Sequence, residues 1–168
     1  MKKLLIVVNS AKFFISHRLP LAVEAKKSGF ETEVAFPEDL QEYKDLIESN
    51  DLKIRLISLS RAGKNIFKEF YSFCSLLRTV LLTKPDLIHL ITIKPVLYVG
   101  FMTRFLNIPT LIAISGMGYI YKRDGNKFLR RLTDSVYRII LSNKNLRIVV
   151  QNNNDKKVIK SIKDLDEN

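Results

Sequence analysis

The chain has 168 residues, 28 Lys and Arg against 17 Asp and Glu, a formal net charge of +11, and 46% apolar residues. This length fits one domain with a sizeable core, which excludes a disordered tail and a small scaffold held by disulfides or zinc. The single cysteine, Cys74, excludes an internal disulfide and favours a reducing compartment, while Cys74, His17 and His89 are too scattered for a metal site. The basic excess arises after residue 50 and favours an anionic partner: nucleic acid, anionic lipid or a phosphorylated substrate.

The amino-terminal segment predicts neither a signal peptide nor a membrane anchor. Only five apolar residues, Leu4 to Val8, follow Met1, Lys2 and Lys3 before the chain becomes polar. The apolar stretch that starts at Leu87 is interrupted by charged residues and proline, and no segment approaches the roughly 18 apolar residues of a membrane span.

Short apolar runs alternate along the chain with longer amphipathic stretches. The runs are rich in Ile, Val and Leu and suit strands that are buried on both faces. The predicted strands are Lys3–Val8, Thr32–Phe36, Ile54–Leu59, Leu87–Ile91, Thr110–Ile114 and Arg147–Val150. The predicted helices are Ser16–Lys27, Leu40–Asn50, Asn65–Thr83, Lys94–Leu106, Lys127–Asn143 and Asn154–Ile162.

Local signals support these boundaries. Ser28 and Gly29 end the first helix, Asn65 is a suitable N-cap for the third, and Pro95 fits the first turn of the fourth. Six strand-then-helix units predict a single α/β domain, a Rossmann-like doubly wound parallel sheet of about six strands. Within the third helix, the aromatic residues Phe67, Phe70, Tyr71 and Phe73 are expected mostly to pack in the core.

The common nucleotide and hydrolase motifs are missing. No glycine follows the first strand, so the dinucleotide fingerprint is not met. Gly63-Lys64 resembles the end of a P-loop, but Ser58 and Asn65 stand at positions that need glycine and Ser or Thr. No G-x-S-x-G nucleophile elbow occurs.

Polar, basic and glycine residues follow the predicted strands, at the edge where doubly wound sheets bind ligands. The Gly116 and Gly118 pair would let backbone amides approach an anion or a sugar closely, or could form a plain turn. The candidate cleft residues are Ser10, His17, Arg18, His89, Lys94, Ser115, Gly116, Gly118 and Tyr119. For the charged members an ordinary structural role stays open: His89 as a core histidine, His17 and Arg18 as the start of a helix, and Lys94 as a solvated lysine.

At these residues the sequence resembles the N-terminal domain of family 4 glycosyltransferases of the GT-B fold, in particular the type that acts in O-antigen, capsule or exopolysaccharide synthesis. The shared pieces occur in the same order along nearly the whole chain. They are Asn9-Ser10, Phe14 to Pro20, Lys84 to His89, Thr92 to Pro95, Ser115 to Tyr119 and Val149 to Asn152.

The resemblance implies that residues 1–168 form the acceptor-binding half of a two-domain enzyme, without the C-terminal donor domain. The full enzyme would transfer a sugar from a nucleotide-sugar to a polyprenyl-diphosphate-linked saccharide, and we expect no cofactor on this chain alone. Ser115-Gly116 stands where many family members have a histidine or an acidic residue, so the catalytic residue is unknown. The alternative is a non-catalytic split subunit that binds membrane or acceptor and recruits a separate donor-binding chain.

The densest basic region follows the fifth strand. We expect it to face anionic lipid on the cytoplasmic side of the plasma membrane, making the protein cytoplasmic and peripheral, although a merely solubilising face is the alternative. The residues expected to face the membrane are Lys122, Arg123, Lys127, Arg130 and Arg131. No nucleic-acid-binding motif accompanies the charge, so nucleic acid is not an expected partner.

Overall fold

The computed structural model describes residues 1–38, 40–59, 65–114 and 127–162, the last range without the side chains of residues 127–130. Its strands are β1 (Lys2–Val7), β2 (Phe30–Phe36), β3 (Lys53–Leu56), β4 (Leu87–Ile91), β5 (Thr110–Ile114) and β6 (Leu146–Val150). Its helices are α1 (Ala11–His17), α2 (Leu19–Lys27), α3 (Gln41–Glu48), α4 (Ile66–Thr83), α5 (Ile93–Leu106), α6 (Lys127–Leu141) and α7 (Asn153–Ile162).

All six strands pair in parallel in the order β3-β2-β1-β4-β5-β6. Successive side chains of each central strand point to opposite faces of the sheet and so enter two different apolar clusters. Leu5 and Val7 of β1 face α4 to α7, whereas Leu4 and Ile6 face α1 to α3. The predicted Rossmann-like, doubly wound α/β domain is confirmed, because burial on both faces explains why the strands read as continuous apolar runs.

The first predicted helix is two helices, and it begins five residues earlier than expected. Ser10 caps α1. The helix is interrupted at Arg18, which ends α1 and precedes α2. Pro20 lies in the first turn of α2, where its missing N–H costs nothing, but it could not continue α1. Residues 11–15, which precede the predicted helix, therefore belong to α1.

The aromatic residues of α4 do not form the expected core. Phe67, Phe70 and Tyr71 are 81%, 68% and 65% exposed, and only Phe73 packs partly against the core. The buried face of α4 is instead the one that carries Ser72, Leu76, Thr79, Val80 and Thr83. This helix thus has two apolar faces, and helical spacing alone cannot tell which one is inside.

The outer strand β3 is tied to β2 by charged pairs. Arg55 Nε lies 2.5 Å from Glu33 Oε1. Two residues earlier on each strand, Lys53 pairs with Glu31. The Glu33 carboxylate is nearly buried and also accepts a hydrogen bond from Thr83 at the end of α4.

At the amino edge of the sheet, Asp86 joins β4 to β1. Its carboxylate accepts a hydrogen bond from the Lys3 amide at 2.7 Å, and its own amide donates to Lys3 O. Asp86 therefore has the structural role expected from its position before β4. Among the described residues, no helix is long and apolar enough to cross a membrane.

Candidate functional site

The strand order reverses between β1 and β4. The chain leaves β1 toward β2 on one side and leaves β4 toward β5 on the other, so a crevice opens outside the carboxyl ends of these two strands. The first turn of α1 and the first turn of α5 border it. Ser10 caps α1 and Lys94 lies in the first turn of α5. His89 lies within β4 itself, and Arg18 lies in the helix layer that covers β4.

The start of α1 already holds a carboxylate. Glu38, which follows β2, accepts a hydrogen bond from the Ala11 amide at 2.9 Å, and Ser10 Oγ accepts one from the Phe13 amide at 3.4 Å. A helix N-terminus favours negative charge, and here the protein supplies it. This arrangement disfavours a phosphate at the Ala11 amide and agrees with the missing glycine fingerprint.

His17 is exposed at the last turn of α1. Its ring stacks on Phe13 with 4.6 Å between the ring centroids and an interplanar angle of 11°. Ser16 Oγ lies 2.6 Å from His17 Nδ1. These contacts fix the orientation of the ring and leave its outer edge accessible.

His89 lies in the middle of β4, opposite Ile6 of β1 and Leu111 of β5, and is 3% exposed. Its Nδ1 is 3.2 Å from Leu111 O, whereas its buried Nε2 has no hydrogen-bond partner among the described residues. Burial lowers the pKa of His89, the Leu111 hydrogen bond opposes this, and the nearby charge of Arg18 lowers the pKa further. His89 is therefore a neutral imidazole at neutral pH.

Arg18 is half-buried at the junction of α1 and α2. Its Nε is fully buried and, like His89 Nε2, has no hydrogen-bond partner in the described part of the chain. Two candidate residues that are 71 positions apart in sequence thus lie on the same side of the sheet, close enough for the charge of Arg18 to act on His89.

Thr92 follows β4 and precedes α5 with φ 72° and ψ 158°, a conformation that non-glycine residues rarely adopt. Its side chain does not cap the helix, and its buried Oγ1 has no partner among the described residues. Backbone strain of this kind costs on the order of 1–3 kcal/mol and clusters at functional sites.

Lys94 is held by a neighbouring helix. Its Nζ donates to Glu69 Oε1 of α4 at 2.7 Å, and the Tyr98 hydroxyl donates to the other carboxylate oxygen. Burial and the Glu69 hydrogen bond raise the pKa of Tyr98, which keeps the phenol protonated as a donor. The ammonium group of this candidate cleft residue therefore already contacts a carboxylate.

The remaining candidates divide into two groups. Ser115, Gly116, Gly118, Tyr119, Lys122 and Arg123 lie outside the described residues. Lys127 and Arg130 belong to the first turn of α6, with side chains outside the description, and Arg131 is exposed on the same helix.

Sequence reasoning missed Glu38, Glu69 and Tyr98. Each acts through a partner that is 25 or more positions away, and nothing in the local pattern around them indicates that partner. Within the described ranges, no cluster of His, Cys, Asp and Glu could hold a metal ion.

A groove of about 830 Å³ opens two strands away from the crevice, between the end of β3 and the first turns of α4. Its lining mixes apolar and polar side chains, including Pro37, Leu56, Ser58, Asn65, Phe67 and Tyr71. It extends the exposed aromatic surface of α4 along the carboxyl edge of the sheet.

Solved structures of similar fold include a glycosyltransferase and a UDP-GlcNAc 2-epimerase. They include MurG of Acinetobacter baumannii (16% identity, TM-score 0.55, covering 72% of this chain and 38% of that protein). A UDP-GlcNAc 2-epimerase of Neisseria meningitidis, bound to UDP-GlcNAc, gives 16% identity and a TM-score of 0.58 over 95% of this chain and 52% of that protein. The glycosyltransferase SsfS6 of Streptomyces sp. SF2575 gives 13% identity and a TM-score of 0.52 over 87% of this chain and 47% of that protein.

At these identities the solved structures show a shared fold. This chain spans about half the length of those proteins or less. No match was found among curated proteins. The sequence model of the glycosyl transferase 4-like family, however, matches residues 3–153, which is most of the chain. The predicted resemblance is confirmed at this level, and the chain belongs to the glycosyl transferase 4-like family.

Proposed function

We propose that the chain is the acceptor-side, N-terminal domain of a glycosyltransferase that moves a sugar from a nucleotide-sugar donor to a lipid-linked saccharide in cell-surface polysaccharide synthesis. The observation that carries this proposal is the family match over residues 3–153 on a sheet whose strand order reverses at a crevice bordered by the candidate residues Ser10 and Lys94.

The nucleotide-sugar is expected on a second domain or partner chain. The start of α1, where a Rossmann fold often binds phosphate, is occupied by the Glu38 carboxylate. The crevice between β1 and β4 then faces the acceptor, with His17 accessible, Arg18 half-buried within the covering helices and His89 buried beneath them. In this arrangement no cofactor is bound by the chain alone.

We further propose that the domain sits on the inner face of the plasma membrane. Helices α4, α5 and α6 pack side by side on one face of the sheet, and their first turns share the carboxyl edge. The exposed Ile66, Phe67 and Phe70 lie at that edge on α4, and the basic turn of α6, with Arg131, lies beyond α5. Aromatic groups with nearby cations suit the interface of an anionic membrane.

Transfer assays test the enzymatic part. The purified chain is mixed with nucleotide-sugars and a polyprenyl-diphosphate-linked saccharide, alone and together with a glycosyltransferase donor domain, either fused or added separately. We expect no turnover by the chain alone and transfer in a combination. Turnover of a nucleotide-sugar by the chain alone would contradict the division of roles. Transfer only with a separate donor chain would favour the split-subunit alternative.

Vesicle co-sedimentation tests the membrane part. We expect binding to vesicles with anionic lipid, weaker binding to neutral vesicles, and a loss of most binding in Phe67→Ser/Phe70→Ser. Phe105→Ser is the matched control, since Phe105 is 68% exposed but lies at the opposite end of α5. Equal binding to neutral and anionic vesicles, or an equal loss in the control, would overturn this proposal.

A further inference from the structure

Two buried nitrogen atoms on the α1–α2 side of the sheet have no protein partner among the described residues: Nε of Arg18 and Nε2 of His89. An unpaired buried polar group loses its hydration without gaining a hydrogen bond, so native proteins seldom leave one without a partner. Here two occur on the same side of the sheet, in residues close enough for the charge of Arg18 to act on His89.

The sheet explains why the two side chains converge. Side chains alternate along β4, and Leu87 and Ile91, which share parity with His89, pack in the cluster under α1 to α3. Arg18 is the junction of α1 and α2 in that same layer. His89 therefore points toward the helices from which the Arg18 side chain extends.

The hydrogen-bonding character of each nitrogen can be assigned. Leu111 O can only accept, so His89 Nδ1, 3.2 Å away, carries the proton and donates to it. In a neutral imidazole, Nε2 is then an acceptor. The Arg18 guanidinium is always charged, so its Nε–H is a donor.

We infer that Arg18 and His89 together hold one hydroxyl group, which donates to His89 Nε2 and accepts from Arg18 Nε–H. An ionised phosphate oxygen carries no proton to donate to Nε2, so the pair favours an uncharged hydroxyl over the anionic group for which Arg18 alone would suggest a role. The hydroxyl has two possible sources, a saccharide of the acceptor or a bound water. The saccharide source rests on the proposed function, whereas the hydroxyl chemistry does not.

Nitrogen-15 NMR of the imidazole rings tests the assignment directly, because the chain has only two histidines. His17→Gln leaves His89 as the single signal and serves for assignment. We expect a protonated Nδ1 and an unprotonated Nε2 for His89 at pH 7.5. A protonated Nε2 with an unprotonated Nδ1 would overturn the inference, and this measurement needs no change at Arg18.

Titration with methyl glycosides of glucose, galactose and N-acetylglucosamine, with pyrophosphate in parallel, separates the sources. A glycoside-dependent shift of His89 Nε2 that is lost in Arg18→Met identifies a saccharide hydroxyl. No response to glycosides, but an Nε2 shift that differs between the unmodified protein and Arg18→Met, identifies bound water. An Nε2 shift that is the same in both proteins, or protonation of Nε2 on adding pyrophosphate, would overturn the inference.

These outcomes are independent of sugar transfer. A failed transfer assay leaves the tautomer and the Arg18 dependence standing. A reversed tautomer removes the hydroxyl site and leaves the family membership and the acceptor-side role untouched.

Discussion

The Glu69 carboxylate of α4 and the Lys94 ammonium of α5 form an ion pair, with 2.7 Å between Oε1 and Nζ and with each side chain only 22% exposed. The pair joins the first turns of two helices at the carboxyl edge of the sheet. Tyr98 donates to the second carboxylate oxygen, so the carboxylate bridges two groups of α5.

Glu69→Gln is expected to lower the free energy of unfolding by about 1–2 kcal/mol, because it weakens two hydrogen bonds to a charged, largely buried group. Chemical denaturation at pH 7 measures this change. Glu24→Gln is the matched control, since its pair with Lys27 is 3.6 Å long and about 70% exposed, and it should change stability little. Equal effects of the two substitutions would contradict the structural role of Glu69.

The same pair predicts a dependence on acid. Burial would raise the pKa of Glu69, but the hydrogen bonds from Lys94 and Tyr98 outweigh it and hold this pKa below its ordinary value of 4.5. The pair therefore stabilises the fold above pH 4.5, and its contribution is lost as the pH falls through the lowered pKa. Unfolding followed from pH 6 to 3 should show a smaller loss of stability in Glu69→Gln than in the unmodified protein.

His89 predicts a second, separate pH effect. Because burial and the Arg18 charge hold the pKa of His89 below 6.5, the unfolded chain takes up a proton at a higher pH than the folded chain. Stability should thus fall as the pH drops below 6.5 and level off below the lowered pKa. His89→Gln should remove this component in thermal unfolding between pH 7.5 and 5, whereas His17→Gln should keep it.

The N-cap of α4 gives a local test. Asn65 Oδ1 accepts hydrogen bonds from the amides of Phe67 and Lys68 at 2.9 and 3.3 Å. Asn65→Ala should cost about 1 kcal/mol of stability, and Asn65→Asp, which keeps the acceptor, should cost little. Urea unfolding of the two variants distinguishes a working cap from an incidental contact, for which both would behave alike.

Two phenylalanines test which apolar surface is core. Phe14 on α1 is fully buried, whereas Phe70 on α4 is 68% exposed. Phe14→Ala should cost about 3–5 kcal/mol, and Phe70→Ala should change stability by less than about 0.5 kcal/mol. If Phe70→Ala were as costly as Phe14→Ala, the aromatic face of α4 would be covered in the folded protein.

The strands were predictable because parallel central strands are buried on both faces and leave an unmistakable apolar run, as in Leu4 to Val7. The end of α2 and the start of α4 could be predicted as well, since Gly29 and Asn65 are local signals of a helix end and a helix start. The confirmed family resemblance followed from short motifs placed at the ends of such strands.

Helical periodicity alone does not reveal the split between α1 and α2 or the outward face of α4. Pro20 signalled the break, but the apolar pattern continues across it. The orientation of α4 depends on where β1 and α5 lie, which is tertiary information. In the candidate site, Lys94 was found by position, but its partner Glu69 lies on another helix, so the chemistry of the pair could not be read from either segment alone.

The charged pairs between β2 and β3 have a consequence for association. A strand at the edge of a sheet presents unpaired backbone groups to which another chain can add. On β3, Lys53 and Arg55 stand at alternate positions, held by Glu31 and Glu33 of β2. A strand added to this edge would have to bury these cations or break their pairs, so β3 ends the sheet and protects the folded domain against edge-to-edge aggregation.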